Sequence, residues 1–209
     1  MMNRGEQGYE TELKLELTRD VYEEILSKCP EFRPSVNQRN SFFDTEDRAF
    51  RKNRWALRIR EEEPEYYLTV KGPTDRDKTG VFSRPEFECR IRAEDAHLYY
   101  RGFRISGCPE KPCMVLLGKF GDVFVERIFS FRNIRRFVSY GKWELEIDRT
   151  TIGDEILYEL EIEVRREQAK SLEKAVRLWF LEENWRYRPS RATKFERAER
   201  IYDEGRQLP

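Results

Sequence analysis

In the stretch YETELKLEL the even positions Glu10, Glu12, Lys14 and Glu16 are charged, while positions 13, 15 and 17 are leucine. Residues two apart on a strand point the same way, so the segment has one charged and one apolar face. The habit recurs. Arg58, Arg60 and Glu62 alternate with Leu57 and Ile59, and Lys71 falls on the side of Thr69. Glu86, Glu88 and Arg90 align, as do Glu144, Glu146 and Asp148 against Trp143, Leu145 and Ile147. Glu159, Glu161 and Glu163 align against Leu160 and Ile162. Rows of carboxylates are oxygen-only donor sets suited to Mg2+ or Mn2+. Rows of arginine and lysine suit phosphate, which arginine grips with two parallel N–H groups and lysine meets as a point charge. One class of ligand needs both sets together: a polyphosphate with its divalent metal ions. The sequence contains no GxxxxGK[ST] loop, so a P-loop is not how the phosphates are held.

These faces need elements to carry them. Strands are expected at 9–17, 37–45, 54–62, 65–72, 81–91, 123–140, 142–150 and 155–166, joined mostly by hairpins. The segment TRDVYEEILSKC has Val21, Ile25 and Leu26 on one helical face, with Asp20 and Glu23 spaced like a capping box. Leu172, Val176, Trp179 and Phe180 mark a late amphipathic helix, and the tail SRATKFERAERIYDE reads as a short one. Residues 93–120 combine a helical stretch around His97 with a proline-broken helix or connector. The sum is an α+β chain with a mainly antiparallel sheet and no linker dividing it. Any single alternating strand describes only a half-exposed sheet. Their recurrence points instead to a closed or nearly closed eight-stranded antiparallel β-barrel, charged inside, with helices packed outside. Like charges confined in that way need a bound counter-charge.

Composition narrows the alternatives. Charged residues are 38% of the 209, well above the roughly 25% usual for soluble domains, yet Lys+Arg and Asp+Glu number 40 each. The balance argues against a nucleic-acid partner. No apolar leader opens the chain and no apolar run is long enough for a membrane span, so a cytoplasmic chain without a membrane partner is expected. Cys29, Cys89, Cys108 and Cys113 are dispersed and His97 is the sole histidine, which argues against zinc, a disulfide framework and histidine-assisted nucleophiles.

The order of motifs is informative. ETELK (Glu10 to Lys14) matches an ExExK signature, and NSFFDT, ALRIR, TVKGP, PEFE, FRNIRRFVSYGKWELEID, YELEIE and a late TKFE follow it. From about residue 9 to about 200 the chain resembles the CYTH superfamily of triphosphate tunnel metalloenzymes, with phrasing most similar to the plant-type inorganic triphosphatase branch. The resemblance implies one CYTH-like domain over 1–209, core about 9–204, that hydrolyses a triphosphate in a charged tunnel with Mg2+ or Mn2+. On this sequence it implies that Lys14, Arg58, Arg60, Lys71, Arg135 and Lys194 hold phosphate oxygens. Glu10, Glu12, Glu146, Asp148, Glu159 and Glu161 are the implied metal ligands, with Glu86 and Glu88 as further candidates. Glu10, Glu12, Lys14 and Lys71 form the implied catalytic set. Two questions stay open in the sequence: which two of Glu159, Glu161 and Glu163 reach a metal, and whether Arg135 or the neighbouring Arg127, Arg132 and Arg136 face inward.

Two departures bear on substrate. Animal thiamine triphosphatases in this superfamily typically read Tyr-Tyr-Asp-Thr where this chain has Phe42 and Phe43, and carry a tryptophan where this chain has Ala56. Trp55 is displaced by one residue, onto the opposite face. Inorganic tripolyphosphate is therefore the expected substrate, with thiamine or nucleoside triphosphates poorer and a monomer expected. Rival readings are a class IV-type adenylyl cyclase and a non-catalytic polyphosphate-binding module.

Overall fold

A computed structural model of the chain describes residues 8–205. Residues 1–7, on which the expectation of no apolar leader rests, and residues 206–209 lie outside them. In chain order the strands are β1 (Gly8–Leu17), β2 (Glu31–Asp44), β3 (Ala56–Glu62), β4 (Glu65–Lys71), β5 (Asp75–Arg76), β6 (Val81–Ile91), β7 (Phe103–Arg104), β8 (Phe124–Tyr140), β9 (Trp143–Ile152) and β10 (Glu155–Glu163). The helices are α1 (Arg19–Lys28), α2 (Ala49–Lys52), α3 (Ala93–Tyr99), α4 (Lys111–Phe120), α5 (Ala169–Glu182) and α6 (Lys194–Gly205). Hydrogen bonding runs β1-β10-β9-β8-β2-β3-β4-β6, and β6 also pairs with β1. Eight long strands thus form the expected closed antiparallel barrel, while β5 is appended to β6 and β7 to β8.

By internal packing the residues fall into two compact units. The first contains 38–74 and 84–131, the second 10–37, 75–83 and 132–205. In the first unit, Leu57 and Ile59 of β3 and Leu68 and Val70 of β4 pack in one core with Ala96 and Tyr99 of α3 and Cys113 and Leu116 of α4. The ambiguous 93–120 region is therefore the cover over the apolar side of these strands. In the second unit, Leu13, Leu15, Leu145, Ile147, Leu160 and Ile162 pack with Tyr22 and Ile25 of α1 and with Leu172, Val176, Trp179 and Phe180 of α5. The leucines of YETELKLEL thus lie under helices, and fully burying such side chains stabilises by about 1.5–3 kcal/mol each.

Local chemistry explains several boundaries. Thr18, not Asp20, caps α1, its hydroxyl accepting from the Val21 N–H at 3.4 Å. Asp44 and Thr45 of SFFDT cap α2: the Asp44 carboxylate accepts from the N–H groups of Thr45, Phe50 and Arg51, and Thr45 Oγ1 from Ala49. Strand β2 starts at Glu31, six residues before the expected 37, because its exposed first half, containing Pro34, shows no alternation to read. The polar loop after Lys71 contains the two-residue β5. Against expectation, Cys108 and Cys113 are joined by a disulfide across the start of α4, while Cys29 and Cys89 are free. The Cx4C spacing gave no sign of it.

Gly80 fixes the strand that carries Lys14. Its φ is +94°, its carbonyl accepts from the Lys14 N–H at 2.9 Å, and an added Cβ would stand 2.7 Å from the Lys14 carbonyl oxygen. Gly80→Ala should therefore lower unfolding free energy by about 1–3 kcal/mol in a denaturant titration. Gly118→Ala, in the exposed middle of α4 with open space around it, should be neutral or stabilise by about 0.5–1 kcal/mol.

Candidate active site

Register brings the charged residues of the second unit together. Lys14 of β1 stands opposite Glu161 of β10, Glu161 opposite Glu146 of β9, Glu159 opposite Asp148, and Asp148 opposite Arg135 of β8. Lys14 Nζ lies 2.7 Å from Glu161 Oε1 and 3.0 Å from Glu12 Oε2. Arg135 donates to both oxygens of Asp148, at 2.8 and 2.6 Å, to Glu161 Oε2 at 2.7 Å, and to Glu146. From α6, Lys194 Nζ reaches Asp148 Oδ2 at 2.7 Å, Glu161 Oε1 at 2.5 Å and Glu159 Oε2 at 3.1 Å. Six implied site residues are buried here: Glu12, Lys14, Asp148, Glu159 and Glu161 are at most 5% exposed, and the Arg135 side chain 12%.

The network decides the ionisation of its members. Burial by itself pushes the Glu161 carboxyl up, but Lys14, Lys194 and Arg135 reverse this and hold it well below the usual range. Asp148 is likewise lowered, by Arg135 and Lys194 against burial. The same carboxylates overcome desolvation to keep Arg135 and Lys194 firmly charged. Glu163 behaves differently. It is exposed as a residue, yet its carboxyl is pushed up to about 7, first by local desolvation and then by Glu146, Glu10 and Glu12.

The first unit holds a smaller cluster. Glu88 accepts from Arg60 at 3.2 Å and from Thr69 Oγ1 at 2.8 Å, with Arg58 Nη2 at 3.4 Å. Burial would raise the Glu88 carboxyl, but Arg60 and Arg58 hold it below its ordinary value. Lys71 Nζ lies 3.0 Å from Glu86 Oε2. Phe42 pairs with Arg58 across β2 and β3 and packs against Phe129 and Phe131 at 5.2 and 5.5 Å. Phe43 and Trp55 face the core instead. No phenol stands where the tyrosine would be, and Trp55 is on the apolar side as expected.

Geometry separates the alternatives in position. Arg135 faces Asp148, whereas Arg136 turns outward to Glu31 at 2.7 Å. Glu159 and Glu161 are buried among the cations, while Glu163 is at the exposed end of β10. Sequence reasoning missed Arg197 of α6, which pairs with Glu16 and lies 3.9 Å from Glu159. Its i,i+3 spacing from Lys194 was the available signal. It also missed Arg84, buried two residues before Glu86.

Among the described residues no three acidic, histidine or cysteine side chains are gathered into a ready cage, since the carboxylates turn toward Lys14, Arg135 and Lys194. Neither oxygen of the buried Glu159 accepts a hydrogen bond. A buried carboxylate met by ion pairs with Lys194 and Arg197 but by no hydrogen bond, beside further carboxylates that repel one another, fits a hard oxygen-seeking cation.

The structure resembles that of a Hippeastrum protein described as a putative adenylyl cyclase with a dominant triphosphatase activity: TM-score 0.75 and 24% identity, over 96% of this chain and 98% of that one. A putative adenylate cyclase from Bacillus halodurans aligns with TM-score 0.70 and 22% identity, over 91% and 97% of the two chains. These likenesses establish the fold. A putative adenylate cyclase from Methanocaldococcus jannaschii is 29% identical over 103 residues, 49% of this chain, and the match spans 57% of that protein's length. Among the described residues no helix is long and apolar enough to cross a membrane. The CYTH domain model matches residues 8–198, and the chain therefore belongs to the CYTH domain family.

Proposed function

We propose that the protein is a divalent-metal-dependent triphosphatase of the plant-type inorganic branch, acting in the cytoplasm as a single domain and hydrolysing tripolyphosphate to pyrophosphate and orthophosphate. The observation that carries this reading is the interleaving of cations and carboxylates around Glu161, which Lys14, Arg135 and Lys194 all approach within 2.7 Å. Such a set is neutralised internally without ligand, and exchanges partners when phosphate and metal arrive together. A non-catalytic phosphate sensor has no need of so many carboxylates.

In this reading Lys14, Arg135 and Lys194, and likewise Arg58, Arg60 and Lys71, donate to phosphate oxygens and stabilise the charge that develops on the departing pyrophosphate. Glu10, Glu12, Glu146, Asp148, Glu159 and Glu161 hold Mg2+ or Mn2+, with Glu86 and Glu88 as additional oxygen donors. The chemistry such an ion supplies when bound is neutralisation of phosphate charge and acidification of water. Lys14 and Lys71 orient the chain of phosphates, and Thr69 holds Glu88 against Arg58 and Arg60.

Adenylyl cyclisation is the second reading, supported by the names of two relatives. Released orthophosphate from tripolyphosphate, lost with a chelator and restored by Mg2+ or Mn2+, is the expected result of a panel containing tripolyphosphate, thiamine triphosphate, ATP and pyrophosphate. Cyclic AMP and pyrophosphate from ATP would support the cyclase instead, and comparable rates on pyrophosphate would contradict a three-phosphate site. Lys194→Ala should reduce kcat/KM for tripolyphosphate by about 10²- to 10³-fold. Glu144→Ala should leave it unchanged, because Glu144 follows the same alternation but is exposed opposite Ser139.

A further inference from the structure

On the charged side of β8, the residue after Arg135 is Phe137, roughly 7 Å along the strand. Phe137 pairs with Glu146, whose carboxylate also accepts from Arg135, so ring and guanidinium share a face. The ring is 2% exposed yet belongs to neither apolar core. The Arg33 guanidinium of β2 lies over it, its carbon 3.3 Å from the ring centroid. Phe32 meets the ring edge-on at 6.1 Å. Arg33 itself is an exposed residue.

An aromatic face beside a phosphate-binding arginine is a platform for a base, since stacking on such rings is sequence-tolerant and favourable. Here the platform is already taken by a cation. We propose that Arg33, seated on Phe137, is a specificity-determining residue. It favours a triphosphate with free phosphate at both ends over one whose end carries a nucleoside or other heteroaromatic group. The guanidinium offers positive charge to a terminal phosphate and denies the ring to a base. The proposal rests on the triphosphatase reading above and deepens it.

Two measurements on the full chain separate the two ideas. Binding of the imido-linked analogues of tripolyphosphate and of ATP, each with Mg2+, is measured for the wild type and for Arg33→Ala. The expected result is a fall of about tenfold or more in the tripolyphosphate-to-ATP affinity ratio, with the ATP analogue gaining. In the double variant Arg33→Ala/Phe137→Leu that gain is lost, because no ring remains to stack on. Arg33→Lys, which keeps charge without the planar stack, should hold the tripolyphosphate analogue better than Arg33→Ala. An unchanged ratio in Arg33→Ala, or an ATP gain that persists without the ring, overturns the proposal. Phosphate release by the wild type is scored separately: its absence on both substrates overturns the triphosphatase reading, while the binding ratio still decides the role of Arg33.

Discussion

Arg135 binds Glu146, Asp148 and Glu161 at once, and Lys194 bridges the last two from α6. A charge withdrawn from water must meet an opposite charge and hydrogen-bond partners, and breaking a buried pair from one side costs about 3–5 kcal/mol. This compensation governs the rest of the second unit. Stability comes from the leucine and isoleucine side of the same strands, packed under α1 and α5. The charged side contributes little net stability by this logic, and a chain selected for stability alone would have no use for it. A set of charges that are mutually satisfied and exchangeable is instead poised for a ligand carrying both signs.

Strand register is the device that holds the set together. Lys14 meets Glu161, and Asp148 meets Glu159 and Arg135, because β1, β10, β9 and β8 are paired in one specific alignment. A slip of one residue would turn every charge to the apolar side under the helices and every leucine to the charged side. On its other side β1 is held at Lys14 by Gly80, where no side chain fits against the backbone. The last cation comes from a helix, through Lys194, with Arg197 one turn on holding Glu16. The residue following Lys194's neighbour is also tied down, since Arg76 pairs with Glu196 at 2.7 Å.

Face assignments were legible in the sequence because a period of two reads directly as two sides of a strand. That sufficed for Glu12, Lys14, Arg58, Arg60, Asp148 and Glu161, and for the apolar residues opposite them. Arg135 could not be separated from Arg132 and Arg136, since FRNIRRFV carries arginine on both faces and only pairing with Asp148 decides. Glu163 continues the row of Glu159 and Glu161 but sits at the exposed strand end, a distinction of position rather than pattern. The β2 start escaped notice because its first residues are exposed in succession and show no alternation. Two-residue strands such as β5 and β7 have no period at all. The Cys108–Cys113 bond depends on the turn before α4, which spacing does not encode.

The central claim is that cations and carboxylates of this network exchange partners together: carboxylates leave Lys14, Arg135 and Lys194 as the cations take phosphate, and so become ready for metal. Mg2+ affinity should then depend on phosphate. The direct measurement is Mg2+ binding by calorimetry with and without a saturating imido-linked tripolyphosphate analogue, corrected for Mg2+ bound by the analogue itself. The account predicts that each ligand tightens the other by about tenfold or more, reciprocally. Equal Mg2+ affinity in both titrations would contradict it.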